Sequence, residues 1–578
     1  MKLNNKYIFL FSIIISFFFS LLLIPFIQNS ILLLINNLFN KQIELNTLWK
    51  NRFIEHSIKC IFIILSAGCL IQFFENKDNN STITQTSMGG GQKSAKYFCY
   101  FFICSFLILS ICSTCSFLYP FHTWDDSNCF FTVGKSVWFG KVIYRDLFEQ
   151  KGPLLYFIHS AAYLISKKTF IGIFLFEVIA STFFLFLCWK TISLFTNENC
   201  GLFIPLIAVI IYSSTSFKLG DSAEEFCLPF LMYSFYASIK RIKENSIFSN
   251  KELLLTGFFS GCVLWIKFSL LGFYVGWIII PVYLYAKKKM IKEIAISANL
   301  IILGVFIATI PYIIYFGINN AIKDWFEVYL YDNIFLYTTS ENGSVIKATA
   351  KGLFRFYWRN YIVFYATILS AITIVKLVYK KQKPLLFHII FIYITMSLFI
   401  FGGGRWYEYY GFDFGLFSIF LIIPIFQAFS NFLLKKESVN KIFYLSVFSN
   451  IIIFTVLTFI ITDNKEVMKI KKEELPQYKF EKIISKYKNP TLLNYGTLDC
   501  GFYTVTGIVP ANKFFIRIHI PLEEMDNEQN AIVQNGSMDF IVSKIPLETD
   551  KYTLIEQADS NIRNHKYTFY LYKNKKLF

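Results

Sequence analysis

Residues 97–126 read YFCYFFICSFLILSICSTCSFLYPFHTWDD. The apolar run from 97 to 119 is long enough to cross a bilayer core, which takes about 20 residues of helix. It ends on His122-Thr123-Trp124 and two neighbouring carboxylates, Asp125 and Asp126. Carboxylates at a membrane edge are costly and often functional. An Asp walled by apolar surface has its pKa drawn toward working pH and can serve as a general base. A solvated loop pair or a helix N-cap is the alternative reading of the same two residues.

The rest of the chain sets that stretch in a membrane. Of 578 residues, 55% are hydrophobic and 16% charged, and Phe alone occurs 68 times. Soluble domains carry about 25% charge, so a water-soluble globule and a disordered chain are both excluded. The net charge of +18 sits in short basic clusters between apolar segments: Lys240, Arg241, Lys243 and Lys251; Lys287 to Lys289 with Lys292; Lys380, Lys381 and Lys383; Lys435, Lys436 and Lys441. That placement marks cytoplasmic loops of a membrane protein rather than a nucleic-acid surface. Lys2 and Lys6 precede an apolar run over 7–35, which reads as a signal anchor with a cytoplasmic N-terminus. Segments 29–56, 120–152, 318–359 and 403–411, and everything after 462, then face outward.

The expectation is an all-α polytopic membrane protein of about 13 spans, with a small C-terminal extracytoplasmic α/β domain. Of the candidates 153–166, 169–189 and 201–216, one must fall short of a full crossing, because 120–152 and Asp221–Glu225 belong on the same face. Sequence does not say which. Residues 1–96 form a two-helix extension with a cytoplasmic linker over 75–96, residues 97–462 the transmembrane domain, and residues 463–578 the soluble domain. In the last, Thr491–Tyr495, Phe514–Ile518, Phe540–Val542 and Tyr567–Tyr572 read as short strands between turn residues. The 12 cysteines show no metal-ligand spacing. Cys112 and Cys115 form a lone CxxC in an apolar helix, where packing is expected rather than redox work.

Downstream of Asp125–Asp126 come Gly140 and Lys151-Gly152-Pro153. A second acidic stretch, Ala223-Glu224-Glu225-Phe226-Cys227-Leu228-Pro229-Phe230, lies at another outer edge, and Gly257, Gly261 and Lys267 follow. In order and sidedness this set resembles the GT-C class of polyprenyl-phosphate-sugar-dependent glycosyltransferases, of the dolichyl-phosphate-mannose-transferase-like and aminoarabinose-transferase-like kind. The resemblance covers roughly 97–430. It implies that Asp125 is the catalytic base and that Asp126 and Glu224 orient the acceptor or support that base, with Glu225 a substitute for Glu224. It implies that Lys151 and Lys267 hold carrier phosphate. Near the last outer loop, where the class often has Arg followed by His-Tyr, this chain reads Arg405-Trp406-Tyr407-Glu408-Tyr409-Tyr410. Tyr409 replaces the His, and Arg405 is left to contact phosphate. The alternative for this stretch is an interfacial aromatic belt with one anchoring Arg. In the outer loop 318–359 an interfacial helix is preferred over a sugar-stacking surface.

The chemistry agrees with the allocation. A polyprenyl phosphate leaving group needs a cation and little protonation, and Lys is a point charge suited to phosphate. The expected reaction is transfer of a hexosyl or pentosyl group from polyprenyl phosphate to a glycan, lipid or protein acceptor, with inversion, in a bacterial cytoplasmic (inner) membrane and on its outer face. The sequence names no cofactor, and metal dependence is left open. A hard divalent ion could be held by Asp125, Asp126 and Glu224 if they converge. A lipid-linked glycan polymerase or ligase with a diphosphate donor, a transporter or flippase, and a non-catalytic membrane scaffold are the rivals.

Overall fold

Inside a bilayer no water is available to the backbone, so each spanning stretch must close its own hydrogen bonds as a helix. The computed structural model describes residues 90–337, 344–379, 383–433, 439–562 and 565–577. The expected spans at 7–28 and 57–74 and most of the linker lie outside the described residues. Helix α1 is Gly90–Cys112, so the end of the expected linker is already helical. The helices that position the site follow: α2 (Asp125–Val137), α3 (Pro153–Ile165), α4 (Ile171–Ser193), α5 (Pro205–Tyr212), α6 (Ala223–Glu244) and α7 (Asn250–Leu264). Their ends obey local rules. The Ser222 hydroxyl accepts from the Glu225 N–H at 3.1 Å, and Ser249 with Glu252 forms a capping box. Asn245 closes α6 in the left-handed conformation, φ 50°.

Five helices among the described residues are long and apolar enough to cross a membrane: Ser94–Cys112, Ile171–Ser193, Phe268–Lys287, Ile291–Ile318 and Lys383–Phe401. A sixth results if Val345–Arg359 and Tyr361–Leu377, bent by 106°, form one span. That bend sits at Asn360, which donates to the Phe356 carbonyl at 2.9 Å and accepts from the Ser216 N–H at 2.8 Å. Four apolar helices are shorter: Pro153–Ile165, Glu198–Tyr212, Phe412–Ala428 and Leu445–Ile461.

Of the three ambiguous segments, α3 and the stretch Glu198–Tyr212 are both short, and α3 is the one that starts and ends against the same part of the chain. Its 13 residues reach about 20 Å at 1.5 Å per residue, short of the ~30 Å core. Both its flanks meet the C-terminal segment. Before it, the Phe148 N–H donates to the Lys513 carbonyl at 3.0 Å. After it, Lys168 lies 3.8 Å from Glu481. The chain then leaves through α4 and returns through the 3-10 turn Glu198–Phe203 and α5. It arrives at Lys218, whose carbonyl accepts from Asn464 at 2.9 Å. Residues 120–152 and 221–225 therefore share the face that carries residues 463–578.

That segment holds a four-stranded sheet in the order β1-β2-β4-β3, with β1 Leu492–Tyr495, β2 Phe540–Ser543, β3 Tyr552–Ile562 and β4 His565–Asn574. β1 and β2 are parallel, pairing Leu492 with Phe540. β2 is antiparallel to β4, and β4 to β3. Ile532 and Val533, from the helix Glu523–Asn535, bury against Leu493, Ile541 and Tyr572. Two differences from the sequence reading stand out. Phe514–Ile518 is not a strand; its apolar side chains are buried and it docks through single backbone bonds, such as Arg517 N–H to the Thr497 carbonyl at 2.8 Å. Strand β3 escapes hydropathy because it is an edge strand carrying Glu556 and Asp559, the polar chemistry that keeps edges from pairing with other chains.

Candidate active site

Helix α2 opens on the acidic pair, so both carboxylates sit in its first turn, where unpaired N–H groups favour negative charge. Successive helical residues point about 100° apart, and the two side chains diverge. Asp126 accepts from the Tyr409 hydroxyl at 3.1 Å. Asp125 turns the other way and takes Lys544 at 3.2 Å, with a third of its side chain exposed. Burial raises the pKa of Asp125 against the opposing pull of Lys544.

Lys151 is held by its neighbours. A Cβ on Gly152 would lie 2.2 Å from the Trp265 carbonyl oxygen. Only glycine lets the two strands of backbone approach, and the Gly152 and Leu154 N–H groups donate to the carbonyls of Ile266 and Trp265 at 3.2 and 2.9 Å. Pro153 then starts α3 at the position where a missing N–H costs nothing. The Lys151 N–H meets Glu149 at 3.1 Å and the Tyr156 oxygen at 2.8 Å, and Tyr156 donates to the same carboxylate. The Lys151 ammonium stands 5.6 Å from the Phe130 ring centre. Burial alone would lower its pKa; the carboxylates of Glu149 and Asp126 reverse that and hold it charged. Burial pushes the Glu149 carboxyl up.

Asp126, Glu149 and Lys151 line one pocket, walled by Tyr337, Tyr407 and Tyr409. Its remaining wall comes from the C-terminal segment, through Leu498, Ile518 and His519. Arg405 stacks at 3.8 Å on the Tyr337 ring and donates to the His519 carbonyl at 3.2 Å. Burial would raise the Tyr337 phenol, but Lys151 and the hydrogen bonds from Tyr407, Tyr410 and Arg405 bring it down. Beside this pocket Lys267 pairs with Glu224 and lies 4.3 Å from the Tyr410 ring centre and 5.1 Å from that of Tyr409.

The structure thus gathers Asp126, Lys151, Tyr409, Tyr410, Lys267, Glu224 and Arg405 into one connected patch. It does not bring Glu225 there. Glu225 turns to the Asp221 N–H at 3.2 Å, away from its neighbour Glu224, again because adjacent helical side chains diverge. Asp125, Asp126 and Glu224 do not form a group close enough to share an ion; one oxygen of each meets Lys544, Tyr409 and Lys267 respectively. Among the described residues the one group of His, Cys and acidic side chains close enough to hold an ion is Cys115, His122 and Asp221. Sequence reasoning gives no role to Glu149 or Lys544, and Tyr337 enters only as one aromatic of the outer loop 318–359, where an interfacial helix is preferred. Glu149 stands two residues before Lys151 and could have been read as its counter-charge; Lys544 joins the site only through tertiary contact.

Helices long and apolar enough to cross a membrane, the pair α2–α3 bearing the acidic and basic motifs, and a sheet-containing segment packed against them make up the fold. Two crystal structures share it: ArnT from Cupriavidus metallidurans bound to undecaprenyl phosphate, with a TM-score of 0.57 and 8% identity over 83% of this chain and 98% of that one, and the same protein in its apo state, with a TM-score of 0.56 and 8% identity over 84% and 98%. No family model and no curated protein matches the sequence.

Proposed function

We propose that this protein transfers a sugar from a polyprenyl-phosphate donor to a hydroxyl acceptor at the pocket between α2, α3 and the C-terminal segment. The observation that carries the reading is that Asp126 and Lys151 line the same pocket, beside a stack of tyrosines at a membrane edge. The shared fold with a protein whose structure holds undecaprenyl phosphate supports it. The acceptor oxygen attacks the anomeric carbon as its proton passes to a carboxylate. The bond from that carbon to the phosphate oxygen breaks, and the lipid phosphate leaves paired with Lys151 and Arg405. Attack opposite the leaving group inverts the anomeric centre. Asp126 takes the base role on geometry, because it faces the pocket. Asp125, the base expected from motif order, is occupied by Lys544 and supports the site from behind. Glu224 and Lys267 neutralise each other and hold Tyr409 and Tyr410 in place.

The reaction belongs on the outer face of a bacterial cytoplasmic membrane, with residues 463–578 as an extracytoplasmic domain over it, in keeping with basic loops on the opposite side. The test is transfer from a labelled polyprenyl-phosphate sugar in vesicles containing the full chain. Asp126→Asn is expected to lose at least 10²-fold, the scale of general base catalysis, and Asp125→Asn to lose less. Full activity in Asp126→Asn would remove it from the base role. Transfer that requires a diphosphate donor would replace this reading with a polymerase or ligase.

A further inference from the structure

A second polar cluster lies outside the pocket and takes no part in the chemistry above. Cys115 and His122 sit on the turn between α1 and α2, and Asp221 on the turn before α6. All three are buried, at 2%, 1% and 0% exposure. One donor atom of each lies within 4.8 Å of the others, and the Cys115 sulfur is 3.6 Å from His122 Nδ1. Bonds of about 2.3 Å to sulfur and about 2.0–2.1 Å to nitrogen at a tetrahedral centre put those two atoms about 3.5 Å apart.

The cluster has more acceptors and lone pairs than partners. Asp221 Oδ1 and Glu225 Oε1 are buried with no hydrogen-bond partner. The Asp221 N–H is shared between the carboxylates of Glu177 at 2.8 Å and Glu225 at 3.2 Å. Three carboxylates therefore crowd one buried point, an arrangement that calls for positive charge. The other Asp221 oxygen is held by His159 at 3.0 Å, a contact that orients the carboxylate from behind. The Thr114 hydroxyl lies 2.5 Å from His122 Nδ1 and also reaches the Leu219 carbonyl at 3.1 Å, so it has a second acceptor when Nδ1 is given to an ion.

We propose that Cys115, His122 and Asp221 bind a zinc-class divalent ion that ties the turn leading into Asp126 to the turn leading into Glu224. A thiolate, an imidazole and a carboxylate suit a borderline ion far better than magnesium or calcium, and two negative ligands bring a divalent ion to neutrality in a buried place. A water completes the coordination. The ion is structural: it sets the spacing of the two acidic motifs. The proposal stands without the transferase reading, since it concerns binding alone.

The test uses the full chain in detergent. Metal analysis of protein purified without chelator is expected to give one zinc per chain, and its zinc absorption fine structure one sulfur neighbour at about 2.3 Å. After stripping and reloading with cobalt(II), a sulfur-to-cobalt charge-transfer band is expected. The band should vanish in Cys115→Ser and His122→Gln and persist in Asp126→Asn and Cys500→Ser. Absence of stoichiometric metal, a zinc shell without sulfur, or a band that survives Cys115→Ser would each overturn the site. If Cys115→Ser does not fold, the wild-type sulfur shell together with His122→Gln decides.

Discussion

Lys544, one residue beyond β2, lies 3.2 Å from Asp125 at the start of α2, and so joins the C-terminal segment to the acidic motif. Its ammonium also stands 4.7 Å from the Tyr567 ring centre, so the clamp is a cation between a carboxylate and an aromatic face. Lys544 lowers a carboxyl that burial raises. Lys544→Met is therefore expected to raise the pKa of Asp125 further. If transfer needs that carboxylate ionised, the acid limb of the pH–rate profile moves to higher pH. An unmoved limb would show that Asp125 does not set it.

A second contact across the same boundary predicts a pH-dependent stability. Lys135 donates to the carbonyls of Tyr503 and Ile508 at 2.8 and 2.7 Å, and Asp499 accepts from Thr132 at 2.6 Å. Burial raises Asp499 from 3.8 to about 6 and lowers Lys135 from 10.5 to about 7. Asp499 contributes stability that is present below 3.8 and lost as pH rises through about 6. Lys135 contributes stability that is present above 10.5 and lost as pH falls through about 7. The melting temperature is expected to pass through a minimum near pH 6 to 7, and Asp499→Asn to remove the fall on the acid side. A flat profile from pH 4 to 9 would contradict both shifts.

The buried pair Lys267–Glu224 predicts non-additivity. Their side chains are 12% and 2% exposed. Removing one partner strands a charge, at a cost of about 3–5 kcal/mol. Lys267→Met is expected to melt well below wild type, and Lys267→Met with Glu224→Gln to recover most of the loss. Additive losses in a double-mutant cycle would mean the two are not coupled.

Glycines rank by what a methyl group would meet. At Gly152 it meets the Trp265 backbone at 2.2 Å, and at Gly134 the Tyr156 carbonyl and the Ser160 nitrogen at 2.7 Å. At Gly140 it meets nothing within 4 Å, and only the φ of +79° resists it. Gly152→Ala and Gly134→Ala are expected to cost about 1–3 kcal/mol as overpacking, and Gly152→Ala to impair transfer more than Gly140→Ala by displacing Lys151. Thermal unfolding and activity together check the order.

Sequence alone determined the membrane class, the order of the acidic and basic motifs, the face they share, and strands β1, β2 and β4, because hydropathy, charge bias and two-residue alternation are written in neighbouring residues. It could not decide that both ends of α3 meet the C-terminal segment, since a 13-residue apolar run is compatible with crossing and with turning back. Motif order put Asp125 before Asp126 and Glu224 before Glu225, but which way each side chain turns depends on what packs against its position on the helix. Lys544, Tyr337 and the meeting of Cys115 and His122 with Asp221 were settled only by tertiary structure, which brings together side chains that no local pattern relates.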